Sequence, residues 1–149
     1  MKRISVLGLD VGRKRIGVAG CDGTGLIATG LTTIHRTSFE KDIQQLQQLI
    51  HEREVQVLVV GLPYNMDGSL GFQAKQVQKF VGRISQILQL PVEYMDERLT
   101  SIEAIAHLKA QKLFSTWDKG AIDRHAACII LQQWLDYKRS KIDNNRYLT

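Results

Sequence analysis

One continuous apolar run in the middle of the chain limits the folds that the whole chain can adopt. Residues 55–61 (VQVLVVG) are rich in β-branched residues, and Gly61, Leu62 and Pro63 end the run. A run of this kind is typical of a central strand that is covered on both faces. The rest of the chain must therefore supply helices for both faces of one sheet.

The segments before this run predict three strands and one helix. Residues 4–9, 15–20 and 27–35 are short β-type runs separated by glycine-containing turns, which indicates an antiparallel meander. After Ser38, a candidate N-cap, apolar side chains recur with the spacing of an amphipathic helix. The helical positions are Phe39, Ile43, Leu46 and Ile50.

The segments after the run predict a second helix whose apolar positions span residues 77–88, a fifth strand at 91–95, a third helix at 102–113 and a final helix from about residue 122 to 138. The order β-β-β-α-β-α-β-α, followed by the final helix, predicts an α/β fold, with one five-stranded mixed sheet and helices on both faces. At 149 residues and 44% hydrophobic composition, the chain fits one domain. We expect this domain to span residues 1–139 and residues 140–149 to form a frayed polar tail.

Acidic side chains stand where two of the predicted strands end. Asp10 lies in the segment GLDVG, and Asp96 and Glu97 lie in YMDER. Strand one is expected to be central, with strands four and five parallel beside it, so both strand ends could fall on one edge of the sheet. Because neighbouring side chains alternate on a strand, at most one of Asp96 and Glu97 should face the same site.

A third acid, Asp123, lies near the start of the final helix. Asp123, Ala127, Ile130 and Trp134 follow one another with helical spacing, so Asp123 is expected on the stripe that packs on the sheet. Three converging carboxylates would repel one another unless cations neutralise them, and Mg²⁺ or Mn²⁺ suits oxygen ligands. Two such ions can activate a water and stabilise the leaving oxygen of a phosphodiester.

Each acid could instead have a purely structural role, without binding a metal. Asp10 could form a turn before Gly12, and Asp123 could cap its helix or interact with the helix dipole. Asp96 and Glu97 could belong to a surface ion-pair cluster with Arg98. The hypothesis of a metal site therefore depends on whether the carboxylates of Asp10, Glu97 and Asp123 converge in the fold.

Four segments carry a family resemblance, and they cover nearly the entire domain: GLDVGRKRIGVA at 8–19, VVGLPYNMDGSLGFQAKQVQKF at 59–80, VEYMDERLTSIEA at 92–104 and KGAIDRHAACIILQQWL at 119–135. They resemble the YqgF family of ribonuclease H-like proteins, which are called pre-16S rRNA nucleases or Holliday junction resolvases. The resemblance implies a ribonuclease H-like fold, which is also found in RuvC resolvases. It further implies metal-dependent phosphodiester cleavage that uses two Mg²⁺ or Mn²⁺ ions. It also implies a cytoplasmic location and a part in trimming the 5′ end of the precursor of the small-subunit ribosomal RNA, with ribosomal particles as possible partners.

Carried over residue by residue, the resemblance places the catalytic and metal-binding acids at Asp10, Glu97 and Asp123, with Glu97 preferred to Asp96. Several polar side chains in the four segments could contact the phosphates of the substrate, although a solvated turn or an ion pair is an alternative for each of them. These candidate substrate contacts are Arg13, Lys14, Arg15, Asn65, Arg98 and Lys119.

The charge balance agrees with a polyanionic partner. Lys and Arg number 20 against 15 Asp and Glu, for a formal net charge of +5. The sequence shows neither a signal-peptide pattern nor a stretch long enough to span a bilayer, so no membrane partner is expected. Cys21 and Cys128 lack metal-ligand spacing and are expected to be reduced, packed thiols.

Two alternatives to an RNA nuclease stay open, and a third, ATP binding, is set aside. The segment GLDVG also resembles the first phosphate loop of sugar kinases and actin-like ATPases, but those enzymes need a second domain to enclose the nucleotide. The chain could instead be a nucleic-acid-binding ribosome-assembly factor without catalytic activity. Resolution of branched, four-way DNA would call for a two-fold dimer, whereas the sequence shows no clear dimer face and favours a monomer or weak dimer.

Overall fold

The computed structural model describes residues 3–97 and 119–148, which form five strands and three helices. In chain order the elements are β1 (Val6–Val11), β2 (Arg15–Cys21), β3 (Ala28–His35), α1 (Phe39–Arg53), β4 (Val57–Leu62), α2 (Phe72–Leu88), β5 (Val92–Asp96) and α3 (Lys119–Leu148). The helix expected at residues 102–113 lies outside the described residues, as do Arg98 and the ends of the chain.

The strands form one sheet in the order β3-β2-β1-β4-β5. The first three strands are antiparallel neighbours, whereas β4 and β5 run parallel to β1. This confirms the predicted mixed sheet with a central first strand. Because β1 and β4 are parallel and paired, their carboxyl ends lie side by side at one end of the sheet.

The two faces of the sheet carry two separate apolar cores. Leu7, Leu9 and Val11 of β1 belong to the core that also contains side chains of α1 and α2. Val59 of β4 belongs to the core that contains α3. Because side chains alternate along a strand, Gly8 and Asp10 are on the α3 face of β1.

The helix ends follow local sequence signals. Ser38 is the N-cap of α1, since its side chain accepts a hydrogen bond from the Lys41 backbone N–H at 3.2 Å. Glu54 ends α1 with a left-handed backbone, φ 52°. The second helix begins earlier than its apolar pattern indicates, because Gly71 in extended conformation serves as its N-cap.

The final helix is longer than predicted. It begins at Lys119 and continues to Leu148, so residues 140–148 continue the helix. The physical reason is the absence of Gly and Pro from residue 121 to 148, which leaves nothing in that stretch to break the helix. The division of the chain into a domain and a tail stays a prediction. Within the described ranges, no helix combines the length and the apolar character that crossing a membrane requires.

Candidate active site

Asp10 stands near the carboxyl end of β1 and is directed to the α3 face. It pairs across the antiparallel ladder with Gly17 of β2, and cross-strand partners carry their side chains on the same face. A Cβ atom added to Gly17 would overlap the carbonyl oxygen of Asp123, four residues after the start of α3. The missing side chain at Gly17 therefore lets the backbone of α3 approach the sheet next to Asp10.

The start of α3 is fixed on the sheet by polar contacts. The Thr33 hydroxyl of β3 donates to the carbonyl oxygen of Gly120 at 2.5 Å and accepts a hydrogen bond from Arg124 Nη1 at 3.1 Å. Arg15 of β2 donates through Nε to Asp123 Oδ2 at 2.6 Å. These contacts hold Asp123 over the same end of the sheet as Asp10.

Glu97 reaches the α3 face from the far side of the site. It directly follows β5, and its backbone N–H donates to the carbonyl oxygen of Leu62 at the end of β4, at 3.1 Å. A Cβ atom added to Gly61 would meet Glu97 Oε1 at 2.7 Å and Ile130 Cδ1 of α3 at 2.5 Å. The Glu97 carboxylate therefore lies over β4, on the face that α3 covers.

Asp96 belongs to the opposite face. It pairs with Leu62, whose side chain lies in the core formed with α1 and α2. The alternation along the strand thus separates the two neighbouring acids, and the preference for Glu97 over Asp96 as a metal ligand stays a prediction.

The three candidate acids, Asp10, Glu97 and Asp123, consequently share one face and one end of the sheet. Asp123 is bound by Arg15 in this arrangement, and the side chains of that ion pair are only 24% and 18% exposed. Among residues 3–97 and 119–148, no three His, Cys, Asp or Glu side chains are placed so that they could hold a metal ion. The oxygen donors suit a hard divalent cation, but the assignment of these acids as its ligands stays a prediction.

The remaining candidate contacts are spread around the edge of the sheet. Arg13 and Lys14 are exposed in the β1–β2 turn, and Lys119 is exposed at the first position of α3. Asn65 is engaged within its own loop, where Nδ2 donates to Ser69 Oγ at 3.0 Å. The structure therefore gives Asn65 a role in holding the loop after β4, whereas the cations of the turn are open to solvent.

Two strand glycines, Gly17 and Gly61, position the acids, a role that was not predicted from the sequence. Gly17 admits the start of α3, and Gly61 admits the Glu97 carboxylate and Ile130. Glycine inside a strand weakens the strand and often marks a close approach of another group, so their occurrence within β2 and β4 was a usable signal.

Comparison with known proteins identifies relatives that match almost the whole chain. The profile of the RuvX family, described as Holliday junction resolvase, matches residues 4–137. A protein of Rippkaea orientalis, provisionally named pre-16S rRNA nuclease, is 78% identical over 139 residues, which are 93% of this chain and 100% of the relative. A protein of Synechocystis with the same provisional name is 66% identical over 141 residues, covering 95% of this chain and 93% of the relative.

Solved structures show a similar fold at low sequence identity. RuvC of T. thermophilus in complex with a Holliday junction substrate superposes with a TM-score of 0.62 at 13% identity, covering 93% of this chain and 96% of RuvC. A second T. thermophilus RuvC structure gives a TM-score of 0.55 at 12% identity, covering 92% of this chain and 97% of that chain. The architecture is therefore that of the ribonuclease H-like resolvases.

Proposed function

Because this chain belongs to the RuvX family, we propose that it is a metal-dependent nuclease that hydrolyses phosphodiester bonds in the precursor of 16S ribosomal RNA. The observation that carries the proposal is the placement of Asp10, Glu97 and Asp123 on one face and one end of the sheet. The RNA substrate is suggested by the names of relatives that match this chain from end to end. Processing of the 5′ end would place the protein in the cytoplasm, with ribosomal particles as partners.

Asp10, Glu97 and Asp123 carry the oxygen donors that hard divalent cations such as Mg²⁺ or Mn²⁺ prefer. One or two such ions would be held once these side chains move together from the described arrangement. When bound, such cations activate a water and stabilise the leaving oxygen of a phosphodiester. The carboxylates of Asp10 and Glu97 would supply oxygen ligands from the ends of β1 and β5, and Asp123 would supply one from α3. The acids would thereby orient the cations at this end of the sheet.

Arg15 has two roles in this proposal. In the described arrangement it neutralises Asp123 through the 2.6 Å contact. A phosphate that approaches the site would offer the guanidinium a second anionic partner, since Arg binds carboxylate and phosphate in the same geometry. Moving Arg15 from Asp123 to the scissile phosphate would make the third carboxylate available to the cations.

Cleavage of four-way DNA is the second candidate activity. It is favoured by the description of the family and by the fold shared with a RuvC that binds a Holliday junction. Symmetric cuts on a junction require two active sites related by a two-fold axis. The two activities therefore differ in substrate and in the oligomeric state that they need.

The test compares the purified wild type with Asp10→Asn, and with Asp136→Asn as a control on the exposed side of α3. Each protein is incubated with labelled precursor 16S RNA, single-stranded RNA and a four-way DNA junction, in Mg²⁺, Mn²⁺ or EDTA. The wild type and Asp136→Asn are expected to cleave the precursor RNA with metal only. Asp10→Asn is expected to lose about a hundredfold or more in rate, because a ligand to the cation is weakened. Cleavage that survives either the Asp10 substitution or the chelator would overturn the metal-dependent mechanism.

A further inference from the structure

A groove of about 970 Å³ opens on the face of the sheet opposite to the three acids. It is lined by the β1–β2 turn, the start of α1 and one side of α2. Val11, which lines the groove, is the neighbour of Asp10 and points to the other face of β1. The α1–α2 groove and the candidate active site therefore begin at the same end of β1, on opposite faces.

The lining of the groove is strongly cationic, with contributions from Arg13, Arg36, Lys79 and Arg83. Asp42 is the single carboxylate among the described residues of the lining, and it is only 2% exposed. Its oxygens are already used, because it accepts from the Thr37 backbone N–H at 3.2 Å and lies 3.7 Å from Arg36 Nε. The surface offered to a ligand is consequently positive, which selects an anionic partner.

Two of the arginines are held in place by aromatic rings. The Arg36 guanidinium carbon lies 4.4 Å from the centre of the Phe80 ring, and that of Arg83 lies 3.7 Å from the centre of the Phe39 ring. The two rings pack edge to face with 5.9 Å between their centres. A guanidinium that is already ordered loses less conformational entropy when it binds a phosphate, so this cluster is prepared for phosphate binding.

Arg36 also connects the groove to the turn beside the acids. Its Nη1 donates to the carbonyl oxygen of Gly12 at 2.8 Å, in the same turn that carries Arg13. Exposed Arg13 and Lys14 therefore stand between the α3 face, with the acids, and the α1–α2 face, with the groove. A polyanion that leaves the active site over this turn meets the cations of the turn before it reaches those of the groove.

An exposed aromatic ring indicates the form of the polyanion. Phe72, the first residue of α2, lines the groove and is 80% exposed. A ring beside a row of cations is the arrangement with which proteins bind single strands, since phosphates pair with the cations while unstacked bases stack on the ring. Duplex bases are stacked on one another and have no face to offer Phe72.

We propose that the α1–α2 groove binds a single-stranded segment of nucleic acid that continues from the bond cleaved on the opposite face. Its phosphates contact Lys79, Arg83 and Arg36, and one base stacks on Phe72. The proposal rests on the proposed function, because the groove would hold the flanking part of the substrate of that site. It adds a binding track that lies outside the acidic site and that favours substrates with an unpaired segment.

The test measures binding separately from cleavage. A short fluorescein-labelled single-stranded RNA and a duplex of the same sequence are titrated with protein in EDTA, and fluorescence anisotropy gives the dissociation constant at several salt concentrations. The charge reversal Lys79→Glu with Arg83→Glu is compared with Arg3→Glu with Lys141→Glu, an equal change of net charge at exposed positions outside the groove. The charge-conserving pair Lys79→Arg with Arg83→Lys serves as a control for folding.

The groove reversal is expected to weaken single-strand binding about tenfold. It should also reduce the slope of log affinity against log salt by about 0.7 for each phosphate that the protein no longer neutralises. The reversal outside the groove and the charge-conserving pair should bind close to the wild type. Phe72→Ala should weaken single-strand binding by at least about fivefold, with little effect on the duplex.

The outcomes separate this proposal from the proposed function. Unchanged single-strand affinity in the groove reversal, with cleavage by the wild type intact, would overturn the groove and leave the nuclease function standing. An equal loss of duplex and single-strand affinity would overturn the assignment to single strands, and a wild type that binds no single-stranded RNA would overturn the groove altogether. A wild type that binds RNA through the groove but cleaves none of the substrates would support the binding groove and overturn the nuclease function.

Discussion

At the scale of single residues, the site depends on two glycines, whose lack of a side chain leaves space for other groups. Gly61 leaves the space in which Glu97 Oε1 and Ile130 Cδ1 lie, at 2.7 and 2.5 Å from the position of an added Cβ. Both atoms are the ends of flexible side chains, so a methyl group at this position can be accommodated by moving them. Gly17 is different, because an added Cβ would overlap the backbone oxygen of Asp123 and would displace the whole start of α3.

Gly61→Ala should therefore lower the cleavage rate by about tenfold to a hundredfold, because it displaces the Glu97 carboxylate by a fraction of an ångström or more. Its free energy of unfolding should fall by no more than about 3 kcal/mol, the usual range for added bulk in a core. Gly82→Ala is the control, since nothing lies within 4 Å of an added Cβ there. It should keep full activity and gain up to about 1 kcal/mol, as Ala replaces Gly in a helix. Full activity in Gly61→Ala would show that the Glu97 carboxylate does not take part in the active site.

At the scale of elements, the β2–β3 turn depends on one carboxylate. Asp22 Oδ1 accepts from the backbone N–H groups of Leu26 at 2.8 Å and Ile27 at 2.9 Å, and Oδ2 accepts from the Thr24 hydroxyl. The hydrogen bond from Thr24 and then that from Ile27 lower the pKa of Asp22 from 3.8 to about 2. The turn aligns β2 with β3, and these are the strands on which α3 begins.

The pH dependence of stability follows from the sign of this shift. A carboxyl whose pKa is lower in the folded state contributes stability above its unfolded pKa, and this contribution is lost as the pH falls through the folded pKa. Asp22 should therefore stabilise the wild type above pH 3.8 and cease to do so near pH 2. Urea unfolding of wild type and Asp22→Asn should give a difference in unfolding free energy that shrinks across this window. A difference that stays constant from neutral pH to pH 2 would contradict the role of the ionised carboxylate.

At the scale of the whole molecule, two cores share one sheet. Leu46 of α1 lies in the core on one face and Ile130 of α3 in the core on the other, and both side chains are 0% exposed. Both cores pack against the same strands. Unfolding of the helices on either face would therefore expose apolar side chains of the sheet. The proposed active site and the α1–α2 groove are consequently held at a fixed relation by β1, which contributes to both.

Leu46→Ala and Ile130→Ala should each lower the free energy of unfolding by about 2–5 kcal/mol, the cost of removing a large buried side chain. Because the cores share their sheet, each variant should still unfold in one transition. Urea titrations followed by far-UV circular dichroism and by tryptophan fluorescence should therefore give coincident curves. Two separated transitions in Ile130→Ala would show that α3 is a separate unit of folding.

The sequence by itself determined the order of elements, the mixed sheet with a central first strand and the inward stripe of the final helix. These features follow from periodicity and from the rules for connecting strands, which depend on residues close together in the chain. The inward stripe, for example, is confirmed by Ala127 and Ile130, both 0% exposed, and by Trp134, 9% exposed. The absence of Gly and Pro after Gly120 also indicated the length of α3, although the polar composition of residues 140–149 had suggested a tail.

Only the tertiary structure decided which polar groups meet. Arg15 and Asp123 are separated by 108 positions, and no local pattern predicts that they form an ion pair. The same holds for the ordering of Arg36 and Arg83 by the rings of α1 and α2. Periodicity reports which face of an element is buried, whereas the partner of a charged group depends on how separate elements pack. The sequence therefore predicted the acids, and the packing revealed both the arginine that binds one of them and the cationic groove on the other face.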